Sequence, residues 1–303
     1  VHLGLVCLTT RECPARIAYR RVQLARATPE SLRLVHRANV GTLRRALAYC
    51  RHDLRTRLYR MPSGLLPWLD APPGELREWA DAAFSEVAPD LRAVGEEFCR
   101  GPALRLDDAP GEQPIRVTTH PDQFCVINSK RPDVVQSSIR MLAAEARVMD
   151  AMGLQRSPWA GINVHGGARD RPEELRAAVD ALPDAVRSRL TLENCERAYS
   201  VPDLCAVGVP VVYDPHHEVV RSGCGVDSEH LFAHAELAMA TWPDPSSALA
   251  HLSNGLTGPR DRRHSDLISR VFPSLRDYHW IDVEAKGKEL AIRALRAMPG
   301  WWR

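Results

Sequence analysis

The sequence predicts an α/β chain folded as a (β/α)₈ TIM barrel, one domain over residues 1–303. Three observations predict it. Eight short apolar runs of strand length recur along the chain, at 3–7, 57–60, 115–117, 161–164, 190–192, 210–213, 249–252 and 280–283. Longer segments of helical period separate them, which is the rhythm of parallel strands with crossover helices. At or just past the ends of six of the eight runs stand imidazoles or carboxylates: His120, His165, Glu193, Asp214, His216, His217, His251 and Glu284. In a closed barrel the C-terminal ends of all strands open onto one face, so side chains remote in sequence are expected to converge there on a metal site.

Taken in order, the chain opens on a strand pattern without the basic, apolar and small-residue order of a secretory signal, so export is not expected. Residues 9–27 are polar, arginine-rich and aperiodic, which suits a loop over the barrel mouth. Over 29–52, Leu32, Val35, Val40, Leu43 and Leu47 recur at near-helical spacing, with Thr28 as N-cap and Pro29 in the first turn. The second run leaves through Pro62 and Gly64, a turn signal that places Arg60 and Ser63 at the mouth. A proline-rich loop leads to a helix over 75–99, whose apolar side carries Leu76, Trp79, Ala83, Phe84, Val87 and Leu91. A Gly/Pro-rich link around Gly111 precedes the third run. Further helices are expected over 133–152, 173–186, 202–207 (ended by Gly208), 228–239 and 288–298.

Composition narrows the function classes. The chain is 45% hydrophobic, enough for a full core, yet no apolar run approaches the roughly 20 residues of a membrane span. A soluble, cytoplasmic protein without a membrane partner is expected. Its eight cysteines include no CxxC pair, so neither a zinc ribbon nor a disulfide framework is signalled. A net charge of +2 gives little bulk attraction for polyanions. Of the 40 basic residues only Lys130, Lys286 and Lys288 are lysines. Arginine suits bidentate phosphate contacts, although an arginine-biased coding composition would leave the same count.

Imidazole mixed with carboxylate suits a divalent first-row metal such as Zn²⁺ or Mn²⁺, whereas an all-oxygen set would suit Mg²⁺. Five histidines and three carboxylates exceed the needs of one ion. Two or three ions about 3.5–4 Å apart, sharing a carboxylate, would polarise a phosphate, activate water and steady the departing oxygen. Phosphodiester hydrolysis is the reaction this implies. A sugar isomerase or epimerase on the same superfold would also gather carboxylates and a histidine around a metal. A DNA-binding module without catalysis needs cations and stacking surfaces rather than a large ligand set.

Seven ordered stretches carry a family resemblance: Leu3-Gly4-Leu5; His120-Pro121-Asp122-Gln123-Phe124 with Asn128-Ser129; His165-Gly166-Gly167; Leu192-Glu193-Asn194; Asp214-Pro215-His216-His217; His251-Leu252-Ser253; and Glu284-Ala285-Lys286-Gly287-Lys288-Glu289. Together they resemble the motifs of the UV damage endonuclease family, barrel relatives of endonuclease IV. The resemblance implies a metal-dependent DNA repair enzyme that nicks damaged double-stranded DNA immediately 5′ to photoproducts, leaving 3′-hydroxyl and 5′-phosphate ends. It implies Mn²⁺, with Zn²⁺ or Co²⁺ as substitutes, in two or three sites. Glu193 would bridge two ions, His120 and His165 completing one site and Asp214, His251 and Glu284 the other. His217 and His264 would hold a third, with His216 as a neighbouring, orienting imidazole. Gln123 and Phe124 match the family's pair of probing residues, a flat aromatic and an amide that can wedge where stacking is already broken. Lys286, counted with Glu193 as catalytic, and Lys288 would meet DNA phosphate, and Arg60 would face DNA at the mouth. A monomer is expected, because a two-fold partner would compete with DNA for one face.

The chain departs from the family pattern at three places. Leu5 stands where a Tyr is common, with Thr9 as the nearby polar residue; Leu249 stands where some members carry a modified Lys ligand; Cys195 stands where an acidic residue often follows Leu192-Glu193-Asn194. Leu249 leaves the third ion short of an oxygen: either Asp261, three residues before His264, supplies it or the third site is weak.

Overall fold

The computed structural model describes residues 1–100, 113–169 and 171–299, so the link around Gly111 lies outside the described residues. Among these, eight parallel strands share one sheet: β1 (His2–Val6), β2 (Leu58–Pro62), β3 (Arg116–His120), β4 (Ile162–His165), β5 (Leu190–Glu193), β6 (Val211–Val212), β7 (Leu249–Leu252) and β8 (Trp280–Val283). Their order is β6-β5-β4-β3-β2-β1-β8-β7. The two outer strands meet through Tyr213, just past β6, which pairs in parallel with Ala250 of β7. Tyr213 N–H donates to the Leu249 carbonyl (3.4 Å) and His251 N–H to the Tyr213 carbonyl (2.9 Å), closing the barrel. All eight expected strands are present, and β3 and β4 run on to include His120 and His165.

The helices around the barrel are α1 (Pro29–His52), α2 (Glu75–Phe98), α3 (Pro132–Ala151), α4 (Pro172–Asp180), α5 (Asp184–Arg187), α6 (Val201–Cys205), α7 (Pro215–Ser222), α8 (Glu229–Ala240) and α9 (Lys288–Arg296). At the start of α1, the Thr28 hydroxyl accepts from Ser31 N–H and the Ser31 hydroxyl from Thr28 N–H, a reciprocal cap. Two expectations are corrected. The helix expected over 173–186 is two pieces, because Pro183 lacks the N–H that would continue the ladder; α4 ends first and Pro183 sits at the start of α5. Directly after β6 comes α7, which was not anticipated. Asp214 caps it by accepting from His217 N–H (2.9 Å), and Gly223 ends it in the left-handed region at φ 73°.

The barrel has a plugged floor and an open rim. At the floor, Arg116 begins β3 fully buried. Its guanidinium donates to the carbonyls of Trp159 and Ser247 (2.8 Å each) and stacks over the Trp159 and Trp280 rings. Burial lowers its pKa to about 9. Residues 9–27 are tied down rather than loose: Thr9 Oγ1 accepts from Ile17 N–H (3.0 Å), Thr10 N–H donates to Glu289 (2.9 Å), and Asn39 brackets the Arg20 backbone. This segment borders a cleft beside His120 through Arg21 and Val22. Among the described residues no helix is long and apolar enough to cross a membrane.

β1 and β8 approach closely because Gly4 has no side chain. Gly4 is in register with Asp282, and a Cβ on it would lie 2.1 Å from Asp282 Oδ1 and 2.8 Å from the Leu58 side chain. Gly4→Ala is therefore expected to lose about 1–3 kcal/mol of stability, the usual cost of overpacking, in a denaturant titration. An unchanged midpoint would contradict this close approach.

Candidate metal centre

Glu193, the last residue of β5, is fully buried at the barrel rim. Its Oε2 accepts from Asn163 Nδ2 (2.8 Å) and lies 2.7 Å from His120 Nε2. Asn163 is itself oriented by the Thr191 hydroxyl (3.1 Å). Glu193 Oε1 lies 3.0 Å from His251 Nδ1 and 3.3 Å from His217 Nδ1, without a hydrogen bond of good geometry to either. Imidazoles from the ends of β3 and β7 and from the first turn of α7 thus converge on one carboxylate. His165, ending β4, completes the ring: its imidazole centroid is 5.0 Å from that of His120 and 5.8 Å from that of His217.

The second half of the cup is built by β6, β7 and β8. His251 Nδ1 is also 3.1 Å from Glu284 Oε1. Asp214 Oδ1 is used in capping α7, which leaves Oδ2 buried without a hydrogen bond, 3.8 Å from His217 Nδ1. Asn194 fixes this corner, accepting from Asp214 N–H and donating to the Asp214 carbonyl (2.8 Å each). Arg60, expected to face DNA, is instead buried inside the cup. It pairs with Glu284, lies 3.9 Å from Asp282, and comes 3.4 Å from His251 Nε2. Its strand direction was legible, but the inward pleat of β2 carries the guanidinium to the buried carboxylates.

Burial pushes Glu193 upward, but the His251, His165 and His120 imidazoles outweigh it and hold the carboxyl well below its usual range. Burial likewise opposes the charged form of His251, yet Glu193 and Glu284 raise it to about 9. His217 is raised well above the usual value against burial, by Asp214 and then Glu193. His165 goes the other way, lowered chiefly by burial.

The donors fit divalent first-row ions. Glu193 Oε1, His165 Nδ1, Asp214 Oδ2 and His251 Nδ1 are buried ligand atoms without hydrogen bonds, a costly arrangement unless a cation satisfies them. Three close groupings at the rim are His120–Glu193–His251, His165–Glu193–His217 and Asp214–His251–Glu284. The third is the set expected around the second ion, whereas the other two cross the expected partition: His120 groups with His251, and His217 with His165. His264 stands outside all three, at 3.8 Å from Glu284 Oε2. It sits on the loop between β7 and β8, bridged to Gly255 rather than carried on a strand end.

The remaining expected residues divide. His216 is buried with its Nδ1 2.8 Å from the Ser253 hydroxyl just past β7, and it belongs to none of the three groupings. Asp261, expected as an oxygen ligand, has both oxygens engaged by Thr257 and Arg263, because a tight turn recruits them locally. Leu249 is packed in the core, and Cys195 Sγ accepts from Ala198 N–H (3.1 Å). Leu5 is fully buried, and the Thr9 hydroxyl is taken by the Ile17 amide, so neither faces the rim. Gln123 and Phe124 stand out from the loop after His120, and Phe124 is 73% exposed. Lys286 is exposed, while Lys288 is half-buried beside Arg60, Glu284 and His264. Burial lowers the Lys288 pKa.

Sequence reading missed Asn163, Asn194 and Asp282. The first and last sit inside apolar runs, and only the period-2 alternation that points them inward could have flagged them. Asn194 follows a ligand and reads as loop polarity.

Fold and rim together define a barrel protein that gathers imidazole and carboxylate ligands at its strand exits. The family model described as UV-endonuclease UvdE matches residues 1–300. The chain is 42% identical to the UV DNA damage endonuclease of Deinococcus radiodurans, over 98% of this chain and 95% of that protein. Among solved structures it resembles SacUVDE, with a TM-score of 0.77, 22% identity, and coverage of 97% of this chain and 98% of that one. Endonuclease IV from Thermus thermophilus shares the fold at a TM-score of 0.57 and 15% identity, covering 99% of this chain and 98% of that one. The chain belongs to the UV-endonuclease UvdE family.

Against burial, Glu193 and Glu284 raise His251 to about 9, which favours a protonated imidazole at neutral pH, and Asp214 and Glu193 shift His217 in the same direction. A ligating imidazole must shed that proton, so ion affinity should strengthen as pH rises toward about 9. Calorimetric titration with Mn²⁺ in two buffers of different ionisation enthalpy should show net proton release near neutral pH. Buffer-independent heats would contradict this coupling.

Proposed function

We propose that the chain is a DNA repair endonuclease that hydrolyses the phosphodiester immediately 5′ to UV photoproducts, and at abasic sites, leaving 3′-hydroxyl and 5′-phosphate ends. It works as a single-domain monomer. The observation that carries this reading is Glu193: one buried carboxylate with imidazoles from three other strand exits within 3.3 Å of its oxygens. Family membership supplies the substrate class, and the relative in Deinococcus radiodurans bears the name UV DNA damage endonuclease.

In this reading Glu193 is the shared ligand, with His120, His165, His217, His251, Asp214 and Glu284 around it and His264 at the margin. Bound there, Mn²⁺, or Zn²⁺ or Co²⁺ in its place, supplies charge that polarises the scissile phosphate and acidifies water. The protein's own part is placement. Asn163 holds the Glu193 carboxylate in orientation, Asn194 fixes Asp214, and Arg60 neutralises Glu284 within the cup. Phe124 and Gln123 project beside His120, where an exposed ring can enter a base step that a photoproduct has already unstacked. Damage is read as deformability rather than as a base code. Lys286 and Lys288, at the exit of β8, offer cations to the DNA backbone.

Glu193→Gln removes the anionic ligand while keeping its shape. Since outer-sphere changes alone cost about 10–100-fold, incision of irradiated duplex should fall by more than about 100-fold. Gel-shift binding to the same DNA should remain within a few-fold. Incision at the native rate would remove Glu193 from the reaction. Phe124→Ala should weaken binding to irradiated duplex by about 1–3 kcal/mol, the worth of one base–aromatic stack, with undamaged duplex unaffected. Equal loss on both DNAs would make Phe124 a general contact rather than a probe.

A further inference from the structure

A second group of ligand-type side chains lies outside the barrel rim, between α7 and α8. We propose that Glu218, His230 and His234 form a separate site for one divalent transition-metal ion of the zinc class, which clamps α7 to α8.

His230 and His234 are four residues apart on α8 and so share one helix face. Their ring centroids are 4.0 Å apart. Glu218 reaches them from α7: its Oε1 is 2.8 Å from His230 Nε2 and its Oε2 is 3.4 Å from His234 Nδ1. One ligand atom from each residue falls within 4.8 Å of the other two. Tetrahedral zinc with bonds of about 2.0–2.1 Å spaces its ligand atoms about 3.3 Å apart, so the pair at 3.4 Å needs almost no movement.

Burial separates this group from an ordinary surface ion pair. Glu218 is 2% exposed, and both its Oε2 and His234 Nδ1 are buried without hydrogen bonds. A buried carboxylate oxygen held 3.4 Å from an imidazole nitrogen without a well-aligned hydrogen bond is under-compensated by that contact and the His230 pair alone. A divalent cation between them satisfies both atoms together. Two nitrogens and one oxygen are a donor set suited to zinc, which takes a fourth ligand from solvent. The solvent side is available, because the site opens on a cavity lined by Arg169, Arg197 and Arg221.

The clamp has a consequence for the rim. His217 faces Glu193 while Glu218, the next residue of the same eight-residue helix, faces α8. An ion on Glu218 therefore steadies the helix that delivers His217.

The test compares two variants of the full chain, Glu193→Gln, which weakens the rim, and the double variant Glu193→Gln/His230→Ala, which weakens the outer site as well. His230 is the exposed member of the trio, so its replacement leaves the core intact. Each protein is dialysed against zinc chloride and its bound zinc counted by mass spectrometry, with folding checked by circular dichroism. Glu193→Gln should retain one equivalent, which the double variant Glu193→Gln/His230→Ala loses, and zinc should raise the Tm of the first but not of the second. Equal zinc content and equal Tm shifts in the two would overturn the proposal. So would the absence of bound zinc in Glu193→Gln. Neither outcome depends on DNA cleavage, so the rim assignment stands or falls separately.

Discussion

The structure depends on one desolvated negative charge, the Glu193 carboxylate at the centre of the rim. Removing such a group from water is costly unless positive charge or strong donors surround it. Here Asn163 supplies one donor and three imidazoles crowd the remaining lone pairs. The rim carboxylates raise His217 and His251 toward their charged forms, and divalent cations bound there would have to displace those protons. The barrel is what makes this possible, because only parallel strands closed into a ring deliver side chains from β3 to β8 onto one end.

Much of this was legible from residue order. Eight apolar runs mark the strands, and the exits of six carry the imidazoles and carboxylates that the barrel gathers, so the fold and most of the cup follow from periodicity and placement. What escaped did so for physical reasons. The helix α7 is short and begins on Asp214-Pro215, residues that read equally well as a strand exit; only the Asp214 cap on His217 N–H starts it. Pro183 splits a segment whose apolar spacing is otherwise continuous. Arg60 reads as a mouth residue, but a long side chain can fold inward to a buried acid, and Glu284 draws it there. Asp261 lies at the right distance in sequence from His264, yet its own turn consumes its oxygens. Local hydrogen bonds of this kind are invisible to motif spacing.

The grouping of ligands also differs from a reading of motifs one at a time. The family resemblance implies His120 with His165 on one side of Glu193 and His251 with Asp214 and Glu284 on the other; barrel closure does place His251 between Glu193 and Glu284, and it also brings His251 into the grouping of His120. His251 belongs to two of the candidate groupings, so ions held there would be interdependent, and a change at His251 would disturb both. The α7 helix adds a second coupling, since consecutive residues on it serve the rim and the helix ring outside.

The most direct test of the central claim is an anomalous difference map from crystals grown with Mn²⁺. The account predicts at least two peaks flanking Glu193, each within coordination distance of one of its oxygens, with His251 or Asp214 beside one and His165 or His217 beside the other. A map with no peak in contact with Glu193, or with ions held only by the margin at His264, would contradict it.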